Sequence, residues 1–224
     1  MMHIGQDLGI GDLPTTIPVF PLSNALLLPG GRLPLNIFEP RYLSMIDRAL
    51  GQGRFLGMIQ PLSTGKETVG DRAPVFDVGC LGRIASFGET EDGRYVISLV
   101  GCCRFTIQRE LPLVDGYRRF DVSYGDFADD LRPREIGAFD RESFVGALER
   151  YLLTLGSDDH WKPLLDLDDS ALISTTAMVC PFSPEEKQAI LECGSIEERA
   201  ELVRSLIDMA FLAGQSDGTS EARH

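Results

Sequence analysis

The side chains best suited to chemistry are few in this sequence of 224 residues. Of its three histidines, His3 and His224 lie at the ends and only His160 is internal. Beside Asp158 and Asp159, His160 could contribute to a metal site, but no second histidine or nearby cysteine completes a set of ligands. We therefore expect a loop histidine here and no bound metal.

A residue activated for catalysis is also missing from the pattern. Cys180 has no histidine partner in the sequence and is expected to be a small buried apolar residue. The motifs G-x-S-x-G, H-E-x-x-H and G-x-G-x-x-G do not occur. The pairs Asp129/Asp130 and Asp168/Asp169 could support acid–base catalysis, but adjacent acids at loop ends more commonly cap helices or face water. The sequence thus predicts no catalytic residue and no cofactor.

The composition excludes further classes of function. Acidic residues outnumber basic ones by 34 to 21, for a formal net charge of −13, so nucleic acid is not an expected partner. The five cysteines have no C-x-x-C spacing, which is typical of reduced thiols in a cytoplasmic protein. No run reaches the roughly 18 apolar residues of a membrane span. A soluble, cytoplasmic protein is expected, and its oligomeric state is not predictable.

The elements that would position any site divide the sequence into two regions. Residues 17–130 contain short apolar runs bounded by Gly, Pro, Asp or Asn, as in strands of a small β-barrel. The Asp92-Gly93 pair predicts a tight hairpin between strands near 82–90 and 95–107. Gly101 is expected to mark a bulge or sharp bend. Alternation predicts that one buried face is formed by Tyr95, Ile97, Leu99, Cys103, Phe105 and Ile107.

Helical spacing appears once in the first region and throughout the second. Apolar residues recur every three or four positions from Pro40 until Gly51, which predicts a single helix inside the barrel region. Beyond residue 130 the pattern predicts about four helices, two of which begin with S-x-x-E capping boxes at 183–186 and 195–198. We therefore predict an α+β fold. Its parts are an N-terminal extension (1–16), a β-barrel (17–130), a helical bundle (131–214) and a disordered tail (215–224).

The run LLLPGGRLP, residues 26–34, raises the question of binding. Three consecutive leucines on a strand cannot all face one core. Either both faces of the segment are covered, which we favour, or at least one leucine is exposed to a partner.

Several stretches together resemble the N-terminal, substrate-binding domain of Lon proteases. The first is FPLSNALLLPGGRLPLNIFEPRYLSMIDRAL, residues 20–50, followed by RFLGMIQP. The next is VGCLGRIASFGETEDGRYVISLVGCCRFTI, and CPFSPEEKQAILECGSIEERAELV matches a helical segment. The resemblance covers roughly residues 15–212. It implies a small barrel of the pseudouridine-synthase-associated (PUA-like) type with one helix, followed by a helical bundle.

The resemblance also implies a function, that of a non-catalytic module which binds exposed apolar segments of unfolded or tagged polypeptides. A separate protease or chaperone would be a further partner. The candidate contact residues are Leu27, Leu28, Pro29, Arg32, Phe38 and Tyr42, although the last two could instead be core residues. The alternatives are a structural adaptor for one specific partner, or a small-ligand or RNA binder that reuses the barrel.

Enzymatic activity is not implied by the resemblance. Lon proteases continue into an ATPase module and a Ser-Lys protease module, and this sequence ends at residue 224 with neither. At the first turn it has Ser23-Asn24 where those proteases often have Arg-Asp. A peptidase label would rest on the name of the domain alone.

Overall fold

The computed structural model describes residues 8–62, 73–132, 136–154 and 159–218. Its strands are β1 (Thr16–Pro21), β2 (Arg32–Ile37), β3 (Phe55–Ile59), β4 (Val78–Glu89), β5 (Tyr95–Val114) and β6 (Tyr117–Ser123). Its helices are α1 (Pro40–Gly51), α2 (Arg141–Thr154), α3 (Asp169–Val179), α4 (Pro184–Glu192) and α5 (Ile196–Gly218). Short 3-10 segments lie at Ile10–Asp12, Gly125–Leu131 and Asp159–Asp166. The predicted α+β class is confirmed.

Five of the strands close into a barrel. The sheet has the order β2-β5-β4-β3-β1-β6, and an additional pairing of β5 with β6 closes the ring. The pairing of β1 with β3 is parallel, and the other pairings are antiparallel. Within the described strands β2 pairs with β5 alone, so it lies at an edge outside the ring. The second half of β4 and the first part of β5 thus extend beyond the ring and form an extension of the barrel with β2.

The hairpin between β4 and β5 agrees with its sequence prediction. Gly93 has a φ of +78°, a conformation that glycine adopts without strain, and Glu89 lies opposite Tyr95. The predicted bulge near Gly101 is also present. Gly82 lies opposite Gly101, whereas Leu81 lies opposite Cys103, so Cys102 is the extra residue.

The bulge corrects the prediction that residues 95–107 bury a single face. Because Leu81 and Gly82 alternate across the sheet, their partners Cys103 and Gly101 point to opposite faces. Cys103 and Phe105 face the barrel interior, while Leu99, Ile97 and Tyr95 face the other way. Simple alternation fails here because one inserted residue reverses the phase of the strand.

The barrel interior is a core of apolar side chains contributed by all five strands of the ring. The Ile17 side chain packs directly against the backbone of Gly57, where a Cβ would lie only 2.8 Å from the Ile17 Cδ1 atom. The interior residues include Ile17, Val19, Ile59, Leu81, Cys103, Phe105, Phe120 and Val122.

Helix α1 lies outside the barrel, beside β1, β3 and β6. Pro40 occupies its first turn, where a backbone N–H would have no hydrogen-bond partner within the helix, so proline costs nothing there. The rings of Tyr42 and Phe20 are 4.2 Å apart, and the Arg41 guanidinium lies 4.7 Å from the centre of the Tyr42 ring. Tyr42 is therefore a core residue of this interface.

Helix α4 groups with the barrel rather than with the other late helices. Residues up to 132 form one compact unit with Ser183–Leu191, and residues 136–182 form a second with those from 192 onward. The sequence division placed 183–191 in the bundle. Hydrogen bonds between α4 and the barrel explain the difference. The Lys187 ammonium donates to the Asn24 carbonyl at 2.6 Å, and the Gln188 side-chain amide donates to the Val78 carbonyl at 3.2 Å. From the barrel side, the Gln60 amide donates to the Pro184 carbonyl at 3.1 Å.

A buried ion pair also belongs to the barrel unit. The guanidinium of Arg104, on β5, donates two hydrogen bonds to Asp130, at 2.8 and 2.9 Å, and a third to the Leu191 carbonyl at 3.0 Å. The side chains of Arg104 and Asp130 are 4% and 6% exposed. Burial lowers the pKa of Arg104, but the hydrogen bonds and charge of Asp130 outweigh it and leave that pKa raised. Asp130 was expected to be a cap or surface residue and is instead a buried partner.

The second unit contains α2, α3 and α5. Asp168 caps α3, accepting a hydrogen bond from the Ala171 N–H at 2.8 Å. The Ser195 hydroxyl caps α5 by accepting from the Glu198 N–H at 3.1 Å, while the Glu198 carboxylate accepts from Gly194 rather than from Ser195. Helix α5 continues to Gly218, into the segment predicted as a disordered tail; the rest of that tail, residues 219–224, lies outside the described residues.

Candidate functional site

The six predicted contact residues do not form one surface. Leu27, Leu28 and Tyr42 are buried, Pro29 is half-buried, and Arg32 and Phe38 are exposed. Only Arg32 and Phe38 are therefore available to a partner.

The leucine run is covered on all sides, as the favoured alternative predicted. Leu26 and Leu27 are 2% exposed and Leu28 is 0% exposed. The loop lies on the bulge of β5: Gly30 donates to the Gly101 carbonyl and Gly101 donates to the Gly31 carbonyl, both at 2.9 Å. A Cβ at Gly101 would overlap the Leu28 carbonyl oxygen, so glycine is what permits this approach. Leu27 and Leu28 are consequently withdrawn as contact residues.

The two exposed residues lie on a face of the barrel extension that we call the extension face. It consists of three rows across β2, β5 and β4: Arg32–Val100–Arg83, Pro34–Ser98–Ser86 and Asn36–Val96–Gly88. Phe38 follows β2 two residues after Asn36, so alternation puts it on the same side. An extra residue in β4, between Ile84 and Ser86, keeps the rows aligned.

The extension face continues the inner side of the barrel. Arg83 lies two residues beyond Leu81, an interior residue, and opposite Phe55, which packs against the interior core. The Arg83 guanidinium lies 5.9 Å from the centre of the Phe55 ring. The row with the two arginines is thus nearest the mouth of the barrel, and the row with Val96 is farthest from it.

The apolar part of the face lies at its outer end. Phe38 is 63% exposed and Val96 is 47% exposed. Glu39 forms an ion pair with Arg41 at 2.9 Å immediately after Phe38. Two large apolar side chains therefore remain in water beside an edge strand, which makes this end of the face a candidate interaction site.

An aromatic pair occupies the opposite face at the same end. The rings of Phe87 and Tyr95 are 4.9 Å apart. A hydrogen bond with Asp47 of α1 raises the pKa of Tyr95. Tyr95 is thus occupied with anchoring α1, and Phe87 covers its ring.

Sequence reasoning missed Val96 and Arg83. Both lie in runs that the sequence pattern assigns to strands, and neither was predicted as a contact residue. The signal was present for Val96, which alternates with Tyr95, Ile97 and Leu99 on the opposite side of the strand. For Arg83 it was not, because its side depends on where the bulges fall.

Among the catalytic candidates, Cys180 and Asp169 are buried or ion-paired. Cys180 is buried, as predicted. Asp169 forms an ion pair with Arg141. The side chains of residues 158–160 lie outside the described part of the structure. Elsewhere, across the described residues, no three or more His, Cys, Asp or Glu side chains come together as metal ligands. In that same part of the chain, no helix has the length and apolar character needed to cross a membrane.

Three thiols lie close together in the barrel and are held neutral. Burial raises the pKa of Cys102 from 9.0 to about 11, although the nearby Arg83 charge opposes this. Burial and the charge of Asp130 raise the pKa of Cys103 to about 12, and burial raises the pKa of Cys80 well above 9.0. Nucleophilic or redox chemistry requires an accessible thiolate, so these residues are packing groups.

The raised pKa of Cys102 predicts a loss of stability at alkaline pH. The contribution of the neutral Cys102 thiol to stability is complete below about pH 9. It is lost as the pH rises toward 11, because over this range the thiol ionises readily only in the unfolded state. We expect the free energy of unfolding to fall by on the order of 2–3 kcal/mol more in the wild type than in Cys102→Ala over this range. Urea titrations at several pH values measure it. Cys193→Ala, at a half-buried position, should follow the wild type; three identical pH profiles would contradict the prediction.

Two solved Lon N-terminal domains share this fold. A Lon N-terminal domain protein from Xanthomonas campestris has this fold, with a TM-score of 0.58 and 23% identity over 86% of this chain and 98% of that one. The N-terminal domain of a Mycobacterium avium complex Lon protease has it too, with a TM-score of 0.59 and 18% identity over 86% and 97% of the two chains.

The family follows from the sequence match. A model of the ATP-dependent protease La (LON) substrate-binding domain matches residues 16–209. The chain belongs to this family of substrate-binding modules, which is distinct from the ATPase and protease parts of Lon.

Individual relatives are full-length proteases. The Lon protease of Anaeromyxobacter dehalogenans is 26% identical over 213 residues, 88% of this chain and 23% of its own length. Lon protease 2 of Thermus thermophilus is 24% identical over 200 residues, 88% of this chain and 24% of its own. The chain thus spans about a quarter of the length of these relatives.

Proposed function

We propose that this protein is a non-catalytic module that binds polypeptides through the extension face and recognises exposed apolar segments of unfolded or tagged proteins. The observation that carries the proposal is the exposure of Phe38 and Val96 together beside the edge strand β2. Family membership supplies the class of ligand. Delivery to a separate protease or chaperone belongs to the same proposal and is supported by family membership alone.

The geometry suits an extended chain. β2 has one side without a strand partner among the described strands, so an incoming segment can lie along it and place alternate side chains on the face. Pro34 lacks an N–H and interrupts main-chain pairing on this edge, which favours side-chain recognition over a continuous added strand. Such recognition tolerates many sequences.

The expected affinity is modest. Burying two partly exposed apolar side chains gives roughly 3–5 kcal/mol before the cost of ordering the ligand. Even before that cost is subtracted, this corresponds to dissociation constants of roughly 0.2 to 6 mM. A module that samples many unfolded chains benefits from fast release.

The test is a fluorescence anisotropy titration of a labelled, permanently unfolded polypeptide, with its folded form as a control. We expect saturable binding of the unfolded form only, at low and at high salt, because the apolar contacts are not screened. Binding that is absent, or equal for both forms, would overturn the proposal.

The variant Phe38→Ser should weaken this binding by roughly five- to thirtyfold, the effect of losing a central apolar contact. Stability should change little, because Phe38 is 63% exposed. A matched control is Leu153→Ser, which removes an apolar side chain of similar exposure (68%) from the helical unit. Equal weakening by both variants would show that the extension face is not the site.

A further inference from the structure

We propose that Arg32 and Arg83 make the extension face selective for polypeptide segments that carry a carboxylate about four residues from an apolar anchor. This inference rests on the proposed polypeptide binding and adds a specificity to it. The two arginines flank Val100 in the row nearest the barrel mouth, and the apolar anchor would meet Val96 and Phe38 at the other end.

The first argument is the absence of acidic partners. Within the described part of the chain, neither Arg32 nor Arg83 forms an ion pair, although acidic residues outnumber basic ones by 34 to 21. Nine other arginines are paired with Asp or Glu, namely Arg41, Arg48, Arg94, Arg104, Arg109, Arg118, Arg132, Arg141 and Arg150. Among the described residues Arg54, Arg119 and Arg204 also form no ion pair, but none of them lies in the rows of the extension face. Two guanidinium groups left on one face are thus available to an anion.

The second argument is the composition of the face. None of the nine residues in its three rows is acidic, and the row between the arginines and Val96 contains only proline and serines. A carboxylate placed at the arginine row therefore meets no like charge on the face, and the remaining surface, with its net negative charge, attracts it less. Of the three rows, only the row of Arg32 and Arg83 carries charge that complements a carboxylate.

The third argument is distance. Both arginines are in register with Val100, so their Cα atoms lie about 10 Å apart across two strand spacings, within reach of one carboxylate for two long side chains. Val96 lies four residues from Val100, about 13 Å along the strand. An extended ligand therefore bridges both features only with this four-residue separation.

The experiment uses short labelled peptides that share one apolar anchor and differ four residues away. Three contain Asp, Asn or Lys at that position, and a fourth ends there in a free α-carboxylate. We expect the Asp peptide to bind roughly three- to tenfold more tightly than the Asn peptide at low salt, and the Lys peptide to bind most weakly. Tight binding of the fourth peptide would identify a chain terminus as an equally good source of the carboxylate.

Two variants locate the selectivity. Arg32→Gln, at an exposed position, should reduce the preference for Asp over Asn by several-fold without affecting the Asn peptide, and adding Arg83→Gln should abolish it. Arg109→Gln is the control, because Arg109 is an exposed arginine of β5 that is paired with Asp121. It should leave the preference unchanged.

The outcomes separate the two proposals. If the Asp and Asn peptides bind equally well to the wild type, the carboxylate selectivity is overturned while polypeptide binding stands. The same conclusion follows if Arg32→Gln and Arg109→Gln behave alike. If no peptide and no unfolded polypeptide binds, both proposals fail.

Discussion

Replacement of Asp130 by alanine is expected to lower the free energy of unfolding by about 3–5 kcal/mol, because it leaves the buried guanidinium of Arg104 without its counter-charge. Asp130 is 6% exposed and accepts three hydrogen bonds from Arg104, two from the guanidinium and one from the backbone N–H at 3.0 Å. Water cannot replace these bonds without opening the contact between β5, the 3-10 segment Gly125–Leu131 and α4.

The neighbouring residue supplies the control. Asp129 is 61% exposed and its ion pair with Arg132, on the surface, is worth little. Asp129→Ala should therefore change stability by less than about 1 kcal/mol. Equilibrium urea unfolding of both variants at neutral pH gives the comparison. Similar midpoints for the two would mean that the buried pair adds nothing that solvent cannot supply.

Replacement of Gly101 by alanine is expected to cost about 3 kcal/mol or more, at the upper end of what overpacking causes. The new Cβ would overlap the carbonyl of Leu28, which is a backbone atom and cannot rotate away. The loop cannot retreat either, because Gly30 and Gly31 are hydrogen-bonded to Gly101 on both sides of the overlap. The variant must therefore release the loop and expose buried leucines.

Gly88→Ala is the matched control for this substitution. Gly88 lies on β4 with open space where a Cβ would stand. Because glycine is unfavourable in a strand, the control should be neutral or slightly stabilising. Thermal unfolding and binding of a hydrophobic dye at moderate temperature would measure both effects. A Gly101→Ala protein as stable as Gly88→Ala would show that the loop contact with the bulge is unimportant.

The sequence predicted the elements of the fold because their signals are local. Asp92-Gly93 sets a hairpin, Pro40 starts a helix and Ser183 with Glu186 forms the expected capping box, with hydrogen bonds of 2.7 and 3.2 Å. Such features depend on residues three or four positions apart. Their confirmation required no knowledge of tertiary packing.

What the sequence could not predict depends on register and long-range contact. The bulge at Cys102 was suspected from Gly101, but its effect on the two faces of β5 follows only from the pairing with β4. Asp130 looked like a surface residue because its partner, Arg104, lies 26 positions away. The grouping of α4 with the barrel follows from buried polar bonds to residues more than 100 positions earlier.

The candidate site shows the same division. Arg32 and Phe38 were predicted as contacts from a proline-rich stretch, and both are exposed on the extension face. Leu27 and Leu28 were predicted from the same stretch and are buried, because the loop crosses the bulge. Binding by the exposed residues remains a prediction, whereas the burial of the leucines is a property of the fold.

The membership of α4 in the barrel unit has a consequence for synthesis on the ribosome. The last strand of the barrel ends at Ser123, yet Leu191, whose carbonyl accepts from Arg104, emerges only after the intervening helices have been made. At roughly 5–20 residues per second, this delay lasts several seconds. During that time Gln60 and Arg104 of the nascent barrel have no helix to bind. The barrel therefore completes its folding only after residue 191 has left the exit tunnel.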